Sequence, residues 1–221
     1  MATLEPTFTP ILSFRRHAAN LITVGRVLLL FLAAAFAVSG DLLLGYVAIP
    51  LAFAVLLMDW LDGVAARRWE CASKVGGLLD IAGDRIAENV WWVTFAWLRL
   101  IPLWVPIVVL SRGFVIDTLR SYALSKGHSA FGKETMMQSR IGHFLVASRA
   151  SRGAYCAAKV IAFELLFTLN AMQSGFSIAD PVFVGLTSVA FAATCITVAL
   201  CLIRGFPIVP AFKRLLTKEG A

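Results

Sequence analysis

The sequence predicts an all-α, polytopic membrane protein with six transmembrane helices and both termini in the cytoplasm. Three observations predict it. Of 221 residues, 59% are hydrophobic and the mean hydropathy is +0.82, far above a soluble domain. The apolar residues fall into six runs of about the 20 residues that a spanning helix needs. Lys and Arg gather on alternate links: at Arg15 and Arg16, at Arg67, Arg68 and Lys74, through 120–152, and at Arg204, Lys213, Arg214 and Lys218. The opposite links, around 39–42, 99–101 and 175–180, carry only Arg99. An excess of positive charge marks the cytoplasmic side.

Residues 1–18 lack the basic, apolar and small-residue order of a cleaved leader. They are expected at the membrane interface, where Pro6 and Pro10 shorten any helix. The spans are expected at about 20–39, 43–66, 76–98, 102–125, 153–174 and 181–203. A polar loop at about 126–152 holds Lys133, Arg140, Arg149 and Arg152. It either folds over a cavity or rests on anionic headgroups. Residues 204–221 form a cytoplasmic tail. With no internal repeat and no change of composition, residues 1–221 read as a single membrane domain. The net charge of +7 fits this topology and anionic lipid, and no nucleic-acid-binding motif accompanies it. The six Trp and many Phe fit lipid-facing and interfacial packing. Cys71, Cys156, Cys195 and Cys201 lack metal-site or C-x-x-C spacing and read as buried apolar thiols, while His17, His128 and His143 read as loop or interfacial residues.

Within this apolar chain four acids stand out. They lie in D-W-L-D-G-V-A-A-R, from Asp59 to Arg67, and after eight residues in G-G-L-L-D-I-A-G-D, from Gly76 to Asp84. An ionisable side chain at membrane depth is a functional-site hypothesis by default. On a helix, positions three apart lie roughly 60° apart and positions four apart roughly 40°. Asp59 and Asp62 therefore share one helix face, and Asp80 and Asp84 share another. Four carboxylates brought together repel unless a cation sits among them, and hard ions such as Mg²⁺ take such oxygen ligands. Small residues at Gly63, Ala65, Ala66, Gly76, Gly77 and Gly83 permit close approach of a second helix or a ligand. A solvated acidic loop predicts scattered acids of mixed charge instead.

The pattern D-x2-D-G-x2-A-R-x8-G-x3-D-x3-D resembles the signature of the CDP-alcohol phosphotransferases, membrane enzymes of phospholipid head-group synthesis. All eight specified positions match: Asp59, Asp62, Gly63, Ala66, Arg67, Gly76, Asp80 and Asp84. The run N-L-I-T-V-G-R, from Asn20 to Arg26, is similar to the family's N-x-x-T-x-x-R opening of its first helix. The resemblance spans roughly residues 18–162. It implies a CDP-linked lipid donor whose pyrophosphate lies on one or two divalent ions, Mg²⁺ or Mn²⁺. Asp59, Asp62 and Asp80 are then metal ligands, and Asp84 both ligates metal and acts as general base on the acceptor hydroxyl. Asn20, Thr23, Gly63, Ala66, Arg67 and Gly76 line the CDP-lipid site. Helix capping is the other reading of Asn20 and Thr23. The family further implies a homodimer and a bacterial inner-membrane location with the active site facing the cytoplasm.

The acceptor is read from the fourth and fifth helices. S-R-G-F-V-I-D-T-L-R, from Ser111 to Arg120, resembles the R-x7-R run of phosphatidylglycerophosphate synthases, and Lys159 resembles the lysine of their G-K-V run. Arg112, Arg120 and Lys159 are therefore expected to bind the phosphate of a phosphorylated small alcohol, glycerol 3-phosphate. Arg112 paired internally with Asp117 or Glu88 is the other reading. The pattern departs at Ala158, Ile161 and Ala162, where Gly, Lys and Thr are expected, and at D-I-A-G-D-R, where the family has D-P-x-A-D-K. Glu88, one turn beyond Asp84, reads as part of a buried ion pair. The expected reaction is transfer of a phosphatidyl group from CDP-diacylglycerol to glycerol 3-phosphate, releasing CMP. The alternatives are the same chemistry on another acceptor (as in cardiolipin synthase or phosphatidylinositol-phosphate synthase), a non-catalytic metal-binding scaffold, or an ion transporter.

Overall fold

An apolar chain that leaves water must pair its backbone within each segment, and the helix does so locally. The computed structural model describes the backbone of residues 10–69, 74–126, 140–173, 175 and 180–219. Side chains are described for 24–58, 82–126 and most of 142–217. All regular structure among these residues is helical: α1 Pro10–Val38, α2 Leu42–Trp69, α3 Lys74–Trp97, α4 Trp104–Ser125, α5 Arg140–Ala147, α6 Arg149–Gln173, α7 Pro181–Gly205 and α8 Ile208–Glu219. Among the described residues two stretches, Ala150–Gln173 and Pro181–Arg214, are long and apolar enough to cross a membrane. Val24–Val38 and Leu42–Met58 are shorter apolar helices. This is consistent with a membrane protein, as are large apolar side chains left outward, among them Leu28, Leu43, Phe114 and Phe206.

Six helices follow the six apolar runs in order; the polar segments differ from expectation. Helix α1 begins at Pro10, inside the segment expected at the interface, because proline is tolerated in a first helical turn where its missing N–H has no partner to lose. The polar loop contains α5, whose Val146 is fully buried. Most of the tail is α8, and Arg204 belongs to α7. Of the described cysteines, Cys201 is buried but Cys156 is exposed.

The chain packs as two compact units, Met1–Thr94 and Phe95–Ala221. In the first, α1 and α2 turn on Ser39, Gly40 and Asp41. Gly40 takes a left-handed φ of 72°, which glycine adopts without a Cβ clash. The Asp41 carboxylate caps α2 by accepting the Leu44 N–H at 2.9 Å. Small residues spaced one turn apart, Ala33, Ala34 and Ala37 against Ala48 and Ala52, are buried and bring the helix axes close. Trp91, fully buried on α3, donates its indole N–H to the Leu30 carbonyl at 3.5 Å.

In the second unit Phe95 packs on α6, edge-on to Phe167 at 4.9 Å and tilted to Phe163 at 5.8 Å. Helix α7 opens with Pro181 after Asp180, whose carboxylate accepts the Val182 N–H at 2.8 Å. Helix α8 seats Ile208, with no exposed surface, against Ile116, Ala123 and Val146, and stacks Phe212 edge-on to Tyr122. Between α3 and α4, Arg99 holds φ at 60°, a conformation that costs an L-residue roughly 1–2 kcal/mol. Arg99→Gly is accordingly expected to stabilise the protein by up to about 1 kcal/mol. The check is a rise in melting temperature in detergent; a fall would mean that the exposed Arg99 side chain is itself bonded to something the substitution removes.

Candidate functional site

The backbone puts all four acids on helices. Asp59 and Asp62 lie in α2, Asp80 and Asp84 in α3, so the face-sharing expected from their spacing of three and four holds for each pair. The side chains of Asp59, Asp62 and Asp80 lie outside the described residues, as do those of Asn20, Thr23, Gly63, Ala66, Arg67 and Gly76. Asp84 is described. Its Oδ1 pairs with Nη2 of Arg26 at 3.1 Å, and the Arg26 side chain is 3% exposed against 48% for Asp84. A nearly buried guanidinium on α1 thus fixes the direction of a half-exposed carboxylate on α3. One turn on, Glu88 is buried and pairs with Arg85 at 3.5 Å, as expected of an ion pair. Four aspartates, with Arg26 orienting one of them, are an oxygen donor set of the kind Mg²⁺ or Mn²⁺ takes, so these residues fit such an ion.

In the second unit, three helices bring cations together. Tyr155 of α6 is the hub: the Lys159 ammonium lies 5.5 Å from its ring centroid and the Arg204 guanidinium 5.2 Å. Among the described residues, Arg112 of α4 and Arg152 of α6 lie near enough to Arg204 to repel it, whereas Tyr155 attracts it. The Nε atoms of Arg112 and Arg204 are buried without hydrogen-bond partners. Among the described residues of its own unit Arg112 forms no ion pair with Asp117, and in the first unit Glu88 pairs with Arg85. Arg112 lines a cleft of about 690 Å³ between α4 and α7 whose other walls are almost wholly apolar. A guanidinium against apolar walls, with a second one nearby, suits an anion, since a counter-charge offsets their mutual repulsion and desolvation.

Two of the three expected acceptor residues, Arg112 and Lys159, belong to this group. Arg120 stands apart, eight residues farther along α4, a rise of about 12 Å. Arg204 is an addition: in the sequence it looks like the first basic residue of a tail, and only the extent of α7 brings it inward. Glu164, five residues beyond Lys159 on α6, is not in this group but has a buried carboxylate oxygen with no hydrogen-bond partner among the described residues. Its signal is present in the sequence as a lone acid within F-E-L-L-F.

A family model described as CDP-alcohol phosphatidyltransferase matches residues 16–170, more than two-thirds of the chain. This chain belongs to the CDP-alcohol phosphatidyltransferase family. The match contains every expected metal, donor and acceptor residue, and ends before Arg204. Relatives carry different names. The chain is 44% identical over 54 residues to the cardiolipin synthase (CMP-forming) of Streptomyces coelicolor, covering 24% of this chain and 25% of that one. It is 32% identical over 62 residues to the CDP-diacylglycerol–glycerol-3-phosphate 3-phosphatidyltransferase of Bacillus subtilis, covering 28% and 32%. A longer match, 32% over 136 residues, is to the archaetidylinositol phosphate synthase of Aeropyrum pernix, covering 61% and 68%. With the Streptomyces and Bacillus proteins the alignment therefore takes in only a quarter to a third of their length. The relatives of this CDP-alcohol phosphatidyltransferase family member thus carry three different synthase or transferase names.

Proposed function

We propose that the protein transfers a phosphatidyl group from CDP-diacylglycerol to glycerol 3-phosphate, giving phosphatidylglycerophosphate and CMP. The observation that carries the acceptor is the pair of cations on the Tyr155 ring, Lys159 and Arg204, with Arg112 and Arg152 near enough to Arg204 to repel it. A phosphate monoester brings nearly two negative charges at neutral pH and several oxygens for guanidinium forks. A lipid phosphodiester brings only one charge and fewer free oxygens to such forks. The whole chain acts as one domain with six spans, both termini and the site on the cytoplasmic side, and works as a homodimer in a bacterial inner membrane.

In this reading Asp59, Asp62, Asp80 and Asp84 hold Mg²⁺ or Mn²⁺, which when bound neutralises charge on the donor pyrophosphate and on the CMP leaving group. Asn20, Thr23, Gly63, Ala66, Arg67 and Gly76 seat the CDP moiety. Arg112, Lys159 and Arg204 hold the acceptor phosphate, with Arg120 farther along α4 attracting it, so the acceptor hydroxyl is presented rather than drawn from solution. That hydroxyl oxygen attacks the phosphatidyl phosphorus and its proton passes to the Asp84 carboxylate. The bond from phosphorus to the CMP oxygen breaks, and CMP leaves with that electron pair.

The test is CMP release by the purified protein with CDP-diacylglycerol and Mg²⁺, offering glycerol 3-phosphate, inositol phosphate or phosphatidylglycerol in parallel. Turnover with glycerol 3-phosphate alone is expected. Turnover with phosphatidylglycerol alone would make the protein a cardiolipin synthase and sink the charge argument. Turnover with inositol phosphate would keep that argument and change the alcohol.

A further inference from the structure

We infer that Gly205 is a positioning residue for acceptor recognition: it is the notch in α7 that lets the Arg112 side chain lie between α4 and α7. The inference rests on the proposed role of Arg112. A Cβ built on Gly205 would stand 2.7 Å from Arg112 Nε, with Arg112 Cγ and Ile116 Cγ1 each at 3.4 Å. Carbon and nitrogen do not pack at 2.7 Å, so any side chain here displaces the guanidinium stem. Four other helical glycines, Gly25, Gly113, Gly153 and Gly185, have nothing within 4 Å of the corresponding point.

Capping does not account for this glycine. Gly205 is the last residue of α7 and its φ lies outside the left-handed region; among the described glycines only Gly40 is left-handed. Glycine is also a poor helix former, so the position loses helical propensity for the sake of space. The cleft explains why space matters. Its walls near Arg112, including Val108, Val115, Leu202 and Phe206, are apolar, and Arg112 Nε has no hydrogen-bond partner. With no hydrogen bond holding Nε among the described residues, the shape of the surrounding walls sets where the stem of Arg112 lies, and Gly205 supplies part of that shape.

The experiment is a double-mutant cycle in the full-length protein, reading KM for glycerol 3-phosphate, KM for CDP-diacylglycerol and kcat for Gly205→Ala, Arg112→Ala and the pair. Gly205→Ala is expected to raise the acceptor KM by about tenfold or more, as for a lost hydrogen bond to a charged group, with donor KM unchanged. In the Arg112→Ala background the same change is expected to do nothing further. A Gly205→Ala enzyme with wild-type acceptor KM, or a full additive effect without Arg112, overturns the inference. If Arg112→Ala itself leaves the acceptor KM unchanged, the phosphate role of Arg112 has failed and the inference falls with it, for a reason the cycle makes visible. Should Gly205→Ala fold poorly, Ile116→Ala with Gly205→Ala relieves the second contact and leaves only the guanidinium in the way; it is held to the same outcomes.

Discussion

Asp84→Asn is expected to cut CMP release by at least about 10³-fold while the protein still inserts and still binds CDP-diacylglycerol. A positioned general base contributes roughly 10²–10⁴-fold, and in the proposed reading the same substitution also removes one anionic metal ligand. Asn keeps the size of the side chain but neither accepts the hydroxyl proton nor carries charge. Arg26 loses a charged partner at 3.1 Å, so a modest fall in melting temperature accompanies the loss of rate; the half-exposed carboxylate keeps that fall small. The measurement pairs turnover with binding of the donor in detergent. Substantial turnover would remove Asp84 from the chemistry, whereas loss of insertion along with activity would make it a structural residue. Persistence of donor binding without turnover is what the enzyme reading requires, and a scaffold has no turnover to lose.

The second large effect is expected at Arg204. Arg204→Ala should raise the KM for glycerol 3-phosphate by roughly 30- to 100-fold, the range for a charge-assisted hydrogen bond in a desolvated site. It should also leave the protein without acceptor no less stable. Burial and repulsion from Arg112 and Arg152 act against Arg204 more than the Tyr155 ring at 5.2 Å favours it, and its Nε is buried without a hydrogen-bond partner among the described residues; a phosphate offsets that repulsion. A merely structural arginine behaves oppositely, its removal lowering the melting temperature without touching KM. Melting curves with and without glycerol 3-phosphate separate the two: ligand should stabilise the wild type by more than the variant. Equal stabilisation of both would take Arg204 out of the site.

What was legible in the sequence is what one-dimensional pattern encodes. Helices followed from apolar runs of spanning length, and the four aspartates from their phase on those helices. The short pieces were harder. A lone proline reads as a breaker, yet Pro10 starts α1, because the cost of proline depends on which turn it occupies. Residues Ile208–Glu219 look like a charged tail, yet every third or fourth position, at Ile208, Ala211 and Phe212, is apolar and finds a partner on α4. Arg204 and Gly205 were illegible for another reason. Whether a basic residue at the end of a span turns outward or inward is decided by a neighbour ninety residues away, and no local signal carries that. Arg112 shows the reverse: a guanidinium in an apolar run is conspicuous in sequence, and among the described residues its buried Nε has no hydrogen-bond partner.

The seat of Ile208 has a bearing on how the molecule is made. Its side chain fills the space between residues of α4 and α5, although α8 follows both in the chain. A chain halted just before Ile208 therefore leaves Ile116, Ala123 and Val146 without that cover and presents an open apolar socket to chaperones and proteases.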